Sequence, residues 1–306
     1  MSNRAIASHY GVSYQTAHRL VGRLVEQGLL QRRDRSGTYV PGPAWRPTHV
    51  QLIFHSRARI PGSFGAKLLE VVHEALTAAG LGEATVCDEG DNPQLHALPV
   101  LWECHQALER CLADGRRAIL LNDRPTPGLD AKRIDSVATD DFVGGVLAGQ
   151  YLRRLLGPSA RCAVLAGPKR DRRSRARVAG FATEHDARVV RARTWYEPDA
   201  EAVAPRVLQS RPDAVFCCND RLAQGLLHVV RERGADPPVV AGFDDAPIAG
   251  AMGLTTVAIP WASLAAGVAR IAADRLGGDG GPSTHLVYYP ELIARREQPL
   301  TPGENP

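Results

Sequence analysis

Polar side chains recur where the apolar runs of this chain end. Five runs end in such clusters, namely His55-Ser56-Arg57, Asp123-Arg124, Asp140-Asp141, Asn219-Asp220 and Asp244-Asp245. If the runs are strands of parallel sheets, the clusters lie at the carboxyl ends, where such sheets bind ligands. A single Asp or Asn there could equally cap a helix or form a turn. Five clusters at equivalent positions favour a ligand-binding site.

The same residues do not favour catalysis. Asp140-Asp141 and Asp244-Asp245 are adjacent acids, whose side chains point in different directions on a strand or at its exit. That is poor geometry for paired acid–base work. The sequence also contains no GxSxG, Walker or HExxH motif. We therefore expect no enzyme activity, no cofactor and no metal site.

Short apolar runs alternate with amphipathic stretches from residue 49 onward. The predicted strands are 50–56, 84–88, 97–102, 117–123, 136–139, 161–167, 188–195, 214–220, 238–245 and 255–259. Amphipathic stretches of helical length lie between most of them. This alternation predicts an α/β fold of parallel, doubly wound sheets with helices on both faces. The six cysteines form no CxxC pair, and we expect them to be buried free thiols.

Positive charge is concentrated at the start of the chain. Residues 1–47 contain seven arginines and two acids and carry +5, whereas the rest of the chain carries −1. A small basic segment beside a near-neutral body is typical of a nucleic-acid-binding module. The alternative is a solvated, arginine-rich tail.

The pattern of this basic segment predicts helix, turn, helix and hairpin. Residues 3–10 end at Gly11, and Ser13 can cap a second helix that stops at Gly28. Two short β-prone runs around a polar turn then predict the hairpin. A helix fits the major groove of DNA, and hairpin arginines can neutralise phosphates. The apolar residues expected to face inward are Ala17, Leu20, Val21, Leu24 and Val25. The expected DNA contacts are Ser13, Tyr14, Gln15, His18, Arg19, Arg33 and Arg35.

This segment resembles the winged helix of gluconate-repressor (GntR-type) regulators. The matching residues are Ile6-Ala7, Val12-Ser13, Thr16, Leu24, Gly28, Leu30 and Gly37-Thr38-Tyr39-Val40. The resemblance implies a winged helix-turn-helix over residues 1–40, without the helix that normally precedes this pattern. We therefore expect a shortened or truncated unit that buries little apolar surface. A helical hairpin with no role in DNA binding is the alternative.

The body of the chain is similar to the effector domain of lactose/galactose-repressor (LacI/GalR) regulators, which shares its fold with periplasmic sugar-binding proteins. The matching segments follow in family order at 137–152, 164–168, 177–181, 212–225, 239–245, 254–260 and 289–295. The resemblance implies a two-lobed domain over residues 49–298, after a linker at 41–48. The first lobe would comprise 49–150 and 260–280, and the second lobe 151–259 and 281–298.

The resemblance also implies a ligand site between the two lobes. The implied contact residues are His55, Asp140, Arg177, Trp195, Tyr196, Asn219, Asp220 and Asp244. Carboxylates and amides accept hydrogen bonds from hydroxyl groups, and arginine donates in a fixed fork, which suits a sugar. A nucleoside or purine is the other ligand class considered, and Trp195 could instead belong to the core.

One connection departs from the family. Only a short, proline-containing stretch joins the runs 84–88 and 97–102, where the family has a crossover helix. Either the first lobe is shortened here, or 97–102 is not a parallel strand.

These features together predict a homodimeric transcription regulator that binds operator DNA and a small polar effector. Repression is the commoner sign in the family that the body resembles, and activation is the alternative sign. The alternative is a cytosolic sugar-binding module that does not bind DNA by itself. Because no apolar run is long enough to span a bilayer and the first residues form no signal-peptide core, we expect a cytoplasmic protein.

Overall fold

The chain divides into two compact units. A computed structural model describes residues 3–26, 30–33, 37–39, 45–82, 84–126, 131–234, 236–278 and 280–295. The first unit is Met1–Arg46 and the second is Pro47–Pro306. None of the helices in these described ranges has both the length and the apolar character that a membrane span requires.

The first unit has the predicted order of two helices and a hairpin. Its elements are α1 (Asn3–Tyr10), α2 (Tyr14–Glu26), β1 (Gln31–Arg33) and β2 (Gly37–Tyr39), with β1 and β2 antiparallel. Ser13 caps α2, because its Oγ accepts from the backbone N–H of Thr16 at 3.1 Å. The predicted linker 41–48 lies partly outside the described residues.

The core of the first unit is narrower than the sequence predicts. Ala17 and Val21 are buried as expected, but Leu20 and Leu24 are 49% and 36% exposed. The reason is that α1 has only eight residues, none of them buried, and it covers a narrow stripe of α2. The two described helices of this unit therefore gain little stability from apolar burial.

The second unit contains two six-stranded sheets. In the first lobe the strand order is β13-β7-β6-β5-β3-β4, and every neighbouring pair is parallel. Its strands are β3 (His49–Phe54), β4 (Thr85–Asp88), β5 (Ala97–Trp102), β6 (Ala118–Leu121), β7 (Ile134–Thr139) and β13 (His285–Tyr288). Its helices are α3 (Phe64–Ala78), α4 (His105–Ala113), α10 (Trp261–Leu276) and the 3-10 turns Ser56–Arg59 and Ala131–Arg133.

In the second lobe the strand order is β14-β12-β11-β10-β8-β9, and only the edge strand β14 is antiparallel. Its strands are β8 (Cys162–Ala166), β9 (Arg188–Arg191), β10 (Ala214–Cys217), β11 (Val239–Asp244), β12 (Thr255–Ala258) and β14 (Glu291–Ile293). Its helices are α5 (Asp141–Leu156), α6 (Arg172–Phe181), α7 (Glu197–Leu208), α8 (Asp220–Glu232) and α9 (Pro247–Ala251). The predicted two-lobed, parallel-sheet architecture is confirmed.

The chain crosses between the lobes three times. It crosses at Asp140, between β7 and α5, rather than near residue 150 as predicted, because α5 packs on the second sheet. A glycine permits this packing: a Cβ on Gly145 would lie 2.1 Å from the carbonyl oxygen of Arg177. The chain returns at 259–260 and crosses again at 289–290. The segment assigned to the second lobe from residue 281 is therefore shared, with β13 in the first lobe and β14 in the second.

The sequence left open whether the first lobe is shortened between β4 and β5 or whether 97–102 is not a parallel strand, and the structure decides between the two. Both strands are parallel to β3 and lie on opposite sides of it, yet residues 89–96 contain no helix. Two side chains hold this connection. Gln51 accepts from the backbone N–H of Gln94 at 2.9 Å, and Arg116 donates to the carbonyls of Pro93 and Gln94 at 3.0 and 2.9 Å. The first lobe is thus shortened by one helix, and 97–102 is a parallel strand.

The cysteines behave as small apolar residues. All six are free thiols, and all but Cys87 are buried, as expected. Burial raises the pKa of Cys104 and Cys218 to about 12, and that of Cys111 and Cys162 to about 11. A thiol with so high a pKa is a poor nucleophile at neutral pH, so these residues serve packing.

Candidate functional sites

A cavity of about 70 Å³ lies between the lobes, at the carboxyl ends of several strands. The first lobe contributes Arg57, Phe64, Trp102, Glu103 and Asn122, and the second contributes Arg173, Arg177, Trp195, Tyr196, Asn219 and Asp244. An open groove of about 970 Å³ adjoins it and shares Arg57, Glu103, Arg173, Trp195 and Tyr196 with it. We refer to the two together as the cleft.

Three residues of the cavity have left-handed backbone conformations. Glu103 follows β5 with φ of 56°, Asn122 follows β6 with φ of 55°, and Asp244 ends β11 with φ of 106°. Non-glycine residues rarely adopt such angles, which cost free energy and cluster at functional sites. The strain at all three strand ends therefore marks the cavity as the candidate ligand site.

Arg177 is the central polar group of the cavity. Its Nε donates to Asp141 Oδ1 at 2.8 Å, and its Nη1 donates to Asp244 Oδ1 and to the carbonyl of Cys218 at 3.0 and 2.6 Å. Its guanidinium carbon lies 3.6 Å from the ring centre of Phe243. No described residue accepts from its Nη2, so this buried arginine keeps a donor for a ligand.

Burial and neighbouring charges shift the pKa values of two carboxylates of the cleft in opposite directions. Burial raises the pKa of Asp244 to about 6, although the neighbouring Arg177 and Arg173 lower it. Burial also acts to raise the pKa of Asp171, but Arg173 outweighs it and brings that pKa to about 2. At neutral pH both carboxylates are therefore ionised and hold their arginines in place.

Two aromatic side chains form one side of the cavity. The Nε1 of Trp195 donates to Asp171 Oδ2 at 3.0 Å, which fixes the plane of the indole. A Cβ on Gly167 would lie 2.6 Å from that ring, so only glycine leaves room for it. The ring of Tyr196 lies 5.5 Å from the guanidinium carbon of Arg57, in the other lobe. An aromatic face in this position can stack on an apolar ligand face.

Five of the eight predicted ligand residues line the cavity, and three do not. Arg177, Trp195, Tyr196, Asn219 and Asp244 line it. His55 lines only the outer groove, where it caps the 3-10 turn and contacts Glu89 Oε2 at 3.0 Å.

Asp140 and Asp220 make structural contacts, and Asp140 also lines a neighbouring cavity that shares Asn122 and Arg173 with the cleft. Asp140 caps α5 by accepting from the backbone N–H groups of Phe142 and Val143, both at 3.1 Å. Asp220 is buried away from the cavity, where it accepts from Thr256 Oγ1 at 2.6 Å and from the Ala246 N–H at 2.9 Å. Strand-end acids are also good caps, and for these two residues capping and internal bonding prevail.

Most of the first-lobe wall was not predicted from the sequence. Arg57 was noted only in the strand-end cluster with His55. Neither Trp102, which ends the predicted strand 97–102, nor Glu103, which follows it, was selected. Arg173 was also missed. The strand-end rule that favoured Asn219 and Asp244 would have found Trp102, which ends that strand. Within the described ranges, no group of three or more His, Cys, Asp or Glu residues could hold a metal ion.

The predicted DNA-contact residues of the first unit gather at the start of α2. Ser13, Tyr14, Gln15, His18 and Arg19 are all exposed there. The rings of Tyr14 and His18 are stacked with centres 6.1 Å apart, and His18 Nδ1 lies 2.9 Å from Asn3 Nδ2 of α1. Arg33 lies in β1, and Arg35 lies outside the described residues.

Comparison with known proteins agrees with this geometry. The model of the family described as periplasmic binding protein-like domain matches residues 154–296. Solved structures match over both lobes. A transcriptional regulator CelR in complex with cellobiose has a TM-score of 0.68 and 20% identity, covering 96% of this chain and 98% of that one. Residues 47–295 have the periplasmic binding protein-like fold.

Other relatives of this periplasmic binding protein-like domain are regulators. A LacI family transcriptional regulator from Enterococcus faecium, with bound ribose, has a TM-score of 0.66 and 21% identity, covering 81% of this chain and 100% of that one. The transcriptional regulator MalR of Streptomyces coelicolor is 32% identical over 34% of this chain and 32% of its own length. The repressor PurR of Klebsiella pneumoniae is 29% identical over 53% of this chain and 51% of its own length. The chain thus spans a third to a half of these curated relatives.

Proposed function

We propose that this protein is a transcription regulator of the LacI type, whose affinity for operator DNA is controlled by a small polar ligand in the cleft. One observation carries the proposal: a basic helix-turn-helix and hairpin unit occurs in the same chain as a two-lobed domain with a polar interlobe cavity. Neither a binding domain alone nor an enzyme needs the basic first unit. The relatives named as HTH-type regulators support the same conclusion.

In this proposal the ligand binds the second lobe and draws the first lobe toward it. Arg177 supplies donors from its Nη2, and Trp195 and Tyr196 supply apolar faces. Contacts from Arg57, Trp102 and Asn122 are made only when the lobes are closed, so the ligand stabilises the closed form. A sugar is the ligand class we favour, because two similar regulators were solved with cellobiose and ribose.

The first unit is proposed to read the operator as a winged helix of the GntR type. The start of α2 would enter the major groove with Tyr14, Gln15 and Arg19, and the hairpin would contact phosphates. The working form would be a homodimer in the cytoplasm, acting as a repressor on a near-palindromic site. Ligand-driven closure of the lobes would then alter the spacing of the two DNA-reading units.

DNA binding is tested by selecting bound fragments from a random duplex library and measuring their affinity by fluorescence anisotropy. We expect the full chain to bind a selected fragment with an affinity that falls steeply with salt. Deleting residues 1–40 should abolish binding. Arg161→Ala, which removes one surface charge of the second lobe, should leave it unchanged. Retained binding after the deletion would place the DNA contact elsewhere and refute the role of the first unit.

Ligand control is tested on the same fragment with a panel of mono- and disaccharides. A ligand that raises the melting temperature of the protein by mass action should also change its DNA affinity. If sugars bind while DNA affinity stays constant, ligand control is refuted. If sugars bind and the full chain does not bind DNA, the alternative holds, a sugar-binding module that does not bind DNA by itself.

A further inference from the structure

A carboxylate of the protein itself joins the two lobes inside the cleft. Glu103, in the first lobe, accepts a hydrogen bond from Arg57 Nη2 of the same lobe through Oε2. Its Oε1 accepts from Nη2 of Arg173, on α6 of the second lobe, at 2.7 Å. One anionic group is therefore held between two guanidinium groups that belong to different lobes.

This ion-pair triad lies where the cavity meets the outer groove. All three residues line both, and their side chains are only 18–27% exposed. Glu103 also has the left-handed φ of 56° described above, so its backbone is strained in holding this position. A carboxylate placed at a cost between two arginines occupies a ready-made anion site.

The cleft as a whole, with the triad included, carries an excess of positive charge. Eight arginines but only five carboxylates line the cavity and the groove. Three of these arginines, Arg170, Arg172 and Arg175, are exposed and have no carboxylate partner among the described residues. Arg172 donates instead to the carbonyls of Arg124 and Pro125, across the lobes, at 3.0 and 3.2 Å. The internal acids thus do not neutralise the arginines that face the groove.

We propose that the ligand of this cleft is an anionic small molecule, a phosphorylated or carboxylated sugar, whose anionic group takes the place of the Glu103 carboxylate between Arg57 and Arg173. This rests on the proposed function and specifies its ligand class. A phosphate monoester brings more negative charge than a carboxylate and three acceptor oxygens, so it satisfies both guanidinium groups at once. A neutral sugar would leave Glu103 in place and could not neutralise the arginines of the groove.

Inorganic phosphate is the first probe, because it needs no knowledge of the sugar. Binding to the full chain is followed by tryptophan fluorescence, since Trp102 and Trp195 line the cavity. Glu103→Gln removes the internal competitor while keeping the size of the side chain. We expect it to bind phosphate about ten-fold more tightly than the wild type, a gain of ~1.4 kcal/mol. Arg173→Gln should lose the binding.

Glu70→Gln is the matched control, since it removes the same charge from an exposed site on α3. It should change phosphate affinity less than about two-fold, as expected of a distant, screened charge. Equal gains in both variants would show a general charge effect and overturn the proposal. So would a Glu103→Gln variant that melts cooperatively and does not bind phosphate.

Matched sugars then distinguish the two anion sources. Glucose, glucose 6-phosphate and glucuronate, with the corresponding ribose pair, are compared by calorimetry. A phosphate site favours the sugar phosphates, a carboxylate site favours the uronate, and tighter binding of the neutral sugars overturns the proposal. These outcomes are separable from the proposed function. An anion that binds without changing DNA affinity refutes ligand control alone, whereas a neutral sugar that changes DNA affinity refutes the anionic ligand alone.

Discussion

Arg177 of the second lobe lies inside a buried hydrogen-bonded network, whereas Arg57 and Glu103 of the first lobe lie in short connections and are partly exposed. Arg177 is only 3% exposed and is held by Asp141, Asp244 and a backbone carbonyl. Arg57 instead comes from a 3-10 turn and is a quarter exposed, with Glu103 and the ring of Tyr196 as its partners.

The contrast teaches how the two walls divide the work of binding. The side chains of a rigid, internally hydrogen-bonded wall lose little conformational entropy when a ligand binds. Such a wall therefore determines the orientation of the ligand. The ion pairs that the first-lobe wall makes across the cleft break when the lobes separate. The state of these ion pairs therefore depends on whether a ligand occupies the cleft. We therefore expect substitutions in the second lobe to act on stability and binding together, and those in the first lobe to act mainly on closure.

The largest effect is expected from Arg177→Ala. The substitution leaves the carboxylates of Asp141 and Asp244 without their buried counter-ion, which costs about 3–5 kcal/mol of unfolding free energy. Urea denaturation measures it. Arg175→Ala, on the exposed face of the same helix, should cost little. A small loss at Arg177 would show that the second-lobe wall is not the rigid one.

The next test is pH dependence. Because the pKa of Asp244 is raised to about 6 in the folded protein, the unfolded chain releases this proton at lower pH than the folded chain does. The contribution of Asp244 to stability is then present in full below about pH 4 and is lost as the pH rises through 6, by about 3 kcal/mol for a shift of two pKa units. The difference in unfolding free energy between wild type and Asp244→Asn, measured from pH 4 to 7, should show this fall. If this difference does not change with pH, Arg177 lowers the pKa of Asp244 as much as burial raises it.

A matched pair of glycine substitutions compares the two walls directly. An added Cβ would lie 2.5 Å from the Trp102 ring in Gly65→Ala and 2.6 Å from the Trp195 ring in Gly167→Ala. Each overpacked variant should lose about 1–3 kcal/mol. Ligand affinity should fall more in Gly167→Ala, since Trp195 belongs to the orienting wall. Gly250→Ala, with no atom within 4 Å of the added Cβ, is the neutral control. Equal losses of affinity would remove the distinction between the walls.

The smallest effects are expected at exposed ion pairs that do not themselves line the cleft. Arg59–Asp88 in the first lobe and Arg161–Asp213 in the second are equally exposed, at 2.7 and 2.8 Å. Solvent screens both pairs. Replacing either arginine by alanine should leave the melting temperature unchanged within error. A clear drop in one lobe alone would show that the lobes differ in overall stability and not only in their walls.

The same contrast explains what the sequence could and could not predict. Arg177, Asn219 and Asp244 were identified because they end buried strands or lie in long segments of ordered motifs. The strand-end rule named both Asp140 and Asp141, and the family resemblance then selected Asp140, although it is Asp141 that contacts Arg177. Glu103 was missed because its position depends on a left-handed backbone and on an arginine 70 residues away, neither of which leaves a local pattern.

The three crossings between the lobes also determine the order in which the protein can fold. Ser136 of β7 contacts His285 of β13 at 2.9 Å, across 149 residues of chain. As the polypeptide leaves the ribosome, the five parallel strands of the second lobe become available while the first sheet still lacks an edge strand and a covering helix. The first lobe is therefore the first to be synthesised in part but is completed late, and part of its apolar surface stays exposed until α10 and β13 have been synthesised.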